Sequence, residues 1–85
     1  MSAIDYRKLR SLTARQLISA LEREGFQLRR HRGPHYRYVH LDGRRVTIAF
    51  HHLGQTFKMG TLRSIIEKQA RWTEADLKRL KLIKS

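Results

Sequence analysis

The chain has 85 residues, enough for one small domain, and sets 19 Lys+Arg against 7 Asp+Glu for a formal net charge of +12. It contains no cysteine, which excludes a disulfide framework and thiolate metal sites, and no apolar run approaches the ~18 residues of a membrane-spanning helix. Hydrophobic residues make up 40%, enough to bury a modest core, so the chain is not a disordered basic tail. We expect a cytoplasmic protein with no leader, no membrane contact and no cofactor. Arginine dominates the cations, and its planar fork grips phosphate oxygens in pairs where lysine offers a point charge. So large a one-sign excess on a small domain points to a polyanionic partner, a nucleic acid or an acidic protein, over solubility alone.

Residues 1–12 carry scattered apolar side chains, Ile4, Leu9 and Leu12, without a period. They read as an N-terminal arm with one helical turn, ahead of a single domain over 13–85. Thr13 is a helix N-cap, Ala14, Leu17, Ile18 and Leu21 form the apolar stripe of a helix, and Gly25 ends it, which sets the first helix at 14–24. Phe26 to Arg32 is a strand, Gly33-Pro34 a turn, His35 to His40 a second strand, and Arg44 to Phe50 a third. A nine-residue loop over 51–59 leads to a helix opening at Gly60-Thr61, with Leu62, Ile65, Ile66 and Ala70 as its stripe. Thr73 and Asp76 have capping-box spacing and start a short last helix carrying Leu77 and Leu80, after which Lys81–Ser85 is expected to fray. The fold class is α+β: an α-β-β-β-α sandwich in which two helices cover one face of a three-stranded antiparallel sheet, plus a short C-terminal helix.

The turn at Asp42-Gly43 decides where the charges of the sheet point. A two-residue turn sets Arg37 beside Ile48 and drives cations into the core. A three-residue loop with left-handed Gly43 in a bulge pairs Tyr38 with Val46 and Tyr36 with Ile48. Tyr36, Tyr38, Val46, Ile48 and Phe50 then share the core face, and His35, Arg37, Val39, Thr47 and Ala49 the other. A one-residue slip would bury charge, so the second register is expected.

Four stretches in this order resemble the HicA (YcfA-like) mRNA interferase toxins of bacterial type II toxin–antitoxin modules. They are Leu17-Ile18-x-x-Leu21-Glu22-x-x-Gly25-Phe26, Gly33-Pro34-His35-x-x-Tyr38, Asp42 to Ile48 followed by His51-His52, and Lys58 to Ile65. The resemblance spans about Thr13 to Ala70. It implies a fold like the double-stranded-RNA-binding domain, metal-free cleavage of mRNA by the histidine corresponding to His35, and neutralisation by a HicB-type antitoxin that covers the active site. The chain departs from the pattern in three places. Pro34 stands where serine is usual, the N-terminal arm is longer, and Ala70-Arg71-Trp72 lacks the glycine that commonly follows the second helix.

The chemistry asks for a group to take the proton of a ribose 2′-hydroxyl, cations for the charge building on phosphorus, and an acid for the leaving oxygen. Histidine changes charge near neutral pH and suits either proton task, while arginine and lysine supply the electrostatic part. The expected site is therefore His35 as catalytic residue, with Arg30, Arg32, Arg37 and Lys58 and the helix entry at Gly60 and Thr61 holding RNA phosphates. Arg29, Arg44 and Arg45 join the arginine-rich strands of this surface, and Trp72 and the tyrosines are candidates for base stacking. His31 and His35 have H-x₃-H spacing, but on a strand–turn–strand that spacing does not converge, and no metal is expected. His40 should face solvent, and His51 or His52 stands as a weaker second proton carrier. The alternative to an endoribonuclease is a non-catalytic RNA-binding module on the same scaffold. A third reading is a toxin-like protein that has lost activity and serves only to bind the antitoxin.

Overall fold

Helix α1 spans Ala14–Glu24, as its stripe requires, in a computed structural model that describes residues 4–84. Thr13 sits in extended backbone. Its hydroxyl accepts the Gln16 N–H and the Gln16 side chain accepts the Thr13 N–H in return, a capping box. The next free donors go to the loop after the sheet: Ala14 N–H to the Gln55 carbonyl at 2.8 Å and Arg15 N–H to that of Leu53 at 3.0 Å. That loop is therefore the lid on the N-terminus of α1 and leaves no donors there for an anion. At the other end Gly25 is left-handed and its N–H returns to Glu22 and Leu21, and Ala14, Leu17, Ala20 and Leu21 are buried.

Strands β1 (Gln27–Arg32), β2 (His35–Val39) and β3 (Arg45–Ala49) form an antiparallel sheet in the order β1-β2-β3. The expected register is found: Tyr38 pairs with Val46, Tyr36 with Ile48, Arg37 with Thr47 and His35 with Ala49. The loop that sets it is closed by His40 N–H to the Arg44 carbonyl at 2.9 Å, with Gly43 at φ 98°. The strand ends differ from expectation by a residue, and Phe26 precedes β1 as a core residue.

Helix α2 begins at Met59, one residue before the expected Gly60, runs α-helically to Arg63 and continues as a π-helix over Ser64–Gln69. The wide turn shows in Ala70 N–H donating to the Ile65 carbonyl at 2.8 Å. It brings Leu62, Ile65, Ile66 and Ala70 all into the core. The segment ends on Arg71 at φ 58°, a left-handed arginine where glycine would rest without strain.

Helix α3 (Glu74–Arg79) starts from the expected Thr73–Asp76 capping box. Its end corrects the expectation of a fraying tail. Lys81 is left-handed, Lys81 N–H bonds the Lys78 carbonyl, and Leu82 N–H bonds that of Leu77. This is the Schellman pattern with its apolar partners at Leu77 and Leu82. Leu82 and Ile83 then pack on the core, and Ser85 lies outside the described residues. The N-terminal arm docks in the same way. A 3₁₀ turn over Tyr6–Leu9 buries Tyr6 and Leu9, and the Tyr6 hydroxyl donates to the Glu67 carboxylate on the π segment. Burial, aided by that carboxylate, pushes the Tyr6 hydroxyl pKa well up.

The helices and the arm all bury side chains in one core with Tyr38, Val46, Ile48 and Phe50, so they cover one face of the sheet and leave the other open. Among the described residues no helix is long and apolar enough to cross a membrane.

Candidate active site

Gly33 and Pro34 join β1 to β2. Gly33 has φ 56°, and proline holds its own φ near about −65°. A positive then a negative φ is the dihedral sense of a type II′ turn, which matches the twist of a tight hairpin. Pro34 lends its carbonyl to Phe50 N–H at 3.0 Å, so the turn is tied to β3 as well. Arg32 and His35 are the pair that flanks this turn.

A bulge lies two pairs further along β1. Leu28 pairs with Tyr38 and Arg30 with Arg37, so Arg29 is the extra residue in β1. In an unbroken strand Leu28, Arg30 and Arg32 share a face. The turn puts Arg30 and Arg32 on the face of His35 and Arg37 and His31 on that of Tyr36, and the bulge lets Leu28 pair with Tyr38 on the opposite face. Alternation in the sequence alone does not reveal this, because the whole run from Arg29 to Arg32 is polar.

On the open face Arg30, Arg32, His35, Arg37 and Thr47 line a depression of about 300 Å³. His35 and all three arginines are exposed and form no ion pair among the described residues. Thr47 adds a hydroxyl that residue typing had left unassigned. Its backbone N–H donates to Gln69 Oε1 at 2.8 Å, and Gln69 Nε2 donates to Ser64 Oγ at 3.2 Å. The π segment thus holds the outer edge of β3 beneath the depression. Chemically, the arrangement offers one imidazole, a fan of guanidinium donors and one hydroxyl around the depression.

Lys58, Gly60 and Thr61 do not line the depression. They form the exposed entry to α2, where Lys58 makes no side-chain cap bond. His51 and His52 are exposed just past β3 and do not line it either. His31 stacks on Tyr36 with ring centroids 4.0 Å apart, and Tyr36 on Phe50 at 4.3 Å. Its partner in the ladder places His31 on the face opposite His35, so the two cannot share a ligand.

Three expected surface residues prove structural. His40 is half-buried, with Nε2 against the Glu24 carbonyl at 3.0 Å and Nδ1 accepting Asp42 N–H. The bare Cα of Gly25 makes room for it, since a Cβ there would come within 3.1 Å of His40 Nε2. Arg44 folds inward: it bonds the Ala70 carbonyl at 2.7 Å and Asp42 at 2.8 Å, lies over the Phe26 ring, and is 16% exposed. Trp72 is 2% exposed and donates Nε1–H to Glu24, so it cannot stack on a base. Each was misplaced for one reason. A polar atom signals exposure, and only the tertiary fold reveals that Glu24 and the end of the α2 segment supply buried partners.

A comparison with curated proteins finds no match to this chain. Against family models, residues 14–72 match that of the HicA toxin of bacterial toxin–antitoxin systems. The match runs from the first residue of α1, through the hairpin bearing His35, to Trp72. It covers well over half of the chain, and on that extent the protein belongs to the HicA toxin family.

Proposed function

We propose that this toxin is a metal-independent endoribonuclease that cleaves mRNA, with His35 as its catalytic residue. The observation that carries the reading is the depression where His35 stands exposed among Arg30, Arg32 and Arg37. A scissile phosphate held by the arginine forks brings the adjacent 2′-hydroxyl within reach of an imidazole on the rigid end of a hairpin. His35 takes the hydroxyl proton as the oxygen attacks phosphorus, and the guanidinium groups and the Thr47 hydroxyl stabilise the added negative charge. The 5′-oxygen leaves with a proton, and a 2′,3′-cyclic phosphate and a 5′-hydroxyl are the products. With one histidine at the site, the leaving oxygen draws its proton from solvent or from the imidazolium. The reaction stops translation by destroying its template, which accounts for a toxin's effect.

The family implies a cognate antitoxin. We infer a HicB-type protein with an acidic surface, steered onto the unpaired arginines and blocking the phosphate positions. Hydrogen exchange on the complex checks this: residues 30–37 should become protected, and an unchanged rate there would contradict occlusion.

RNA binding without cleavage is the second reading. Pro34 removes the hydroxyl that serine would place beside His35, and no second histidine lines the depression. Analysis of product ends decides between the two: cyclic phosphate termini support cleavage, and intact RNA in stable complex supports the binding module.

A further inference from the structure

The charge of this chain is spent in two places. Besides the arginines around His35, a cleft of about 370 Å³ is lined by Lys8, Arg15, Arg23 and Lys81, with Ser11, Ser19 and Gln16 between them. These four cations form no ion pair among the described residues; the carboxylates that do pair are taken by Arg7, Arg44, Arg63, Lys78 and Arg79. Among the described residues no carboxylate lines the cleft. At 100° per residue, Arg15, Gln16, Ser19 and Arg23 occupy the side of α1 opposite its buried stripe of Ala14, Leu17, Ala20 and Leu21. The cleft therefore opens from the helical layer, away from the sheet face that carries His35. Lys8, Ser11, Leu12, Lys81 and Leu82 lie outside the family match at 14–72, so the docked arm and the docked tail build this wall themselves.

We propose that this cleft is a second RNA-backbone site, gripping the same strand whose scissile phosphate lies at His35. The occupant is argued from charge and shape. Arg15, Ser19 and Arg23 stand at i, i+4 and i+8, a row of donors roughly 6 Å apart along the helix axis. Hydroxyl and amide donors sit between the cations, with no carboxylate among the described lining residues. Such a row fits a linear polyanion with regularly spaced charges, and contacts of this kind carry affinity without reading sequence. The domain measures 32 × 27 × 21 Å, so a strand engaging both faces must pass around it. A short RNA reaches one face and a long one reaches both. The proposal rests on the RNA reading of the His35 face, and the test keeps the two apart.

Binding is measured with 2′-O-methyl RNA, which has no 2′-hydroxyl to be deprotonated and is not cut. The lengths are about 6 and about 30 nucleotides, bracketing the reach of one small binding surface. The full chain should bind the long RNA at least tenfold more tightly. Arg15→Glu/Arg23→Glu/Lys81→Glu should remove that gain, lower the salt slope for long RNA by about one for each lost contact, and leave the short RNA bound as before. The neutral set Arg15→Ala/Arg23→Ala/Lys81→Ala, with circular dichroism on both, ensures that a folded variant is read. Equal affinity of the two lengths for the wild type, or a variant that binds long RNA as the wild type does, overturns the proposal. So does a variant that keeps RNA binding but loses polyglutamate, which would assign the cleft to an acidic protein. If instead Arg30→Glu/Arg37→Glu leaves short-RNA binding unchanged, the reading of the His35 face fails, and the cleft is still judged on long RNA.

Discussion

His35 on β2 faces Arg32 on β1 across the first hairpin, and the two bracket the Gly33-Pro34 turn. The pair one step further in is Arg30 with Arg37. The two-residue turn sets both pairs on one face, and the bulge at Arg29 lets the strand beyond them return Leu28 to the face of Tyr38.

Because these arginines form no ion pair among the described residues, their removal should cost binding and not folding. Arg30→Gln/Arg37→Gln should weaken RNA affinity and lower the slope of log affinity against log salt by about one for each contact, with the melting temperature nearly unchanged. Titrations at several salt concentrations, beside a thermal melt, check this. An unchanged slope would remove these arginines from the phosphate-binding surface.

Arg44 and Arg45 are neighbours in sequence with opposite roles. Arg44→Ala should destabilise the domain by about 2 kcal/mol, because Glu24 and the Ala70 carbonyl lose a partly buried partner. Arg45→Ala, on the exposed face, should stay within about 0.5 kcal/mol. Urea denaturation of the two variants makes the comparison, and equal losses would contradict the structural role given to Arg44.

Arg71 holds a left-handed backbone at φ 58° with an exposed side chain. Arg71→Gly should stabilise the protein by about 1 kcal/mol, the strain of that conformation less the entropy of glycine in the unfolded chain. A raised melting temperature is expected, and a lowered one would mean the arginine side chain contributes more than its backbone costs.

The Thr73 N–H, with further help from the Arg79 guanidinium, holds the Asp76 carboxyl below its ordinary value of 3.8. A carboxyl whose folded-state pKa is depressed contributes stability that is complete above the unfolded pKa and is lost as pH falls through the folded one. The docking of α3 should therefore loosen below about pH 4. In the wild type, Trp72 fluorescence should report this loosening, and Asp76→Asn should show less acid dependence and converge with the wild type at low pH. Parallel curves for the two proteins would contradict it.

Much of this was legible in the sequence, and the particular failures are informative. The α1 stripe, both Thr caps and the three-residue loop at Gly43 each follow from local rules, and together they fix the face on which His35 and Arg37 lie. The bulge at Arg29 was not legible, since a polar run has no alternation to interrupt. The inward turns of His40, Arg44 and Trp72 were not legible either, because Glu24 and the Ala70 carbonyl come from elements 16 to 48 positions away. The cleft between the arm and the tail escaped for the same reason: Lys8, Arg15 and Lys81 meet only when both termini dock.

The most direct test of the central claim is cleavage of a defined mRNA by purified wild-type protein and by His35→Ala, each in EDTA. We expect the wild type to leave cyclic phosphate ends without added metal. The variant should be slower by about 10²-fold or more, the scale of a lost general acid–base group, while folding and binding RNA as before. A folded His35→Ala protein that cuts at the wild-type rate, or wild-type cleavage that EDTA abolishes and a divalent cation restores, would contradict the account.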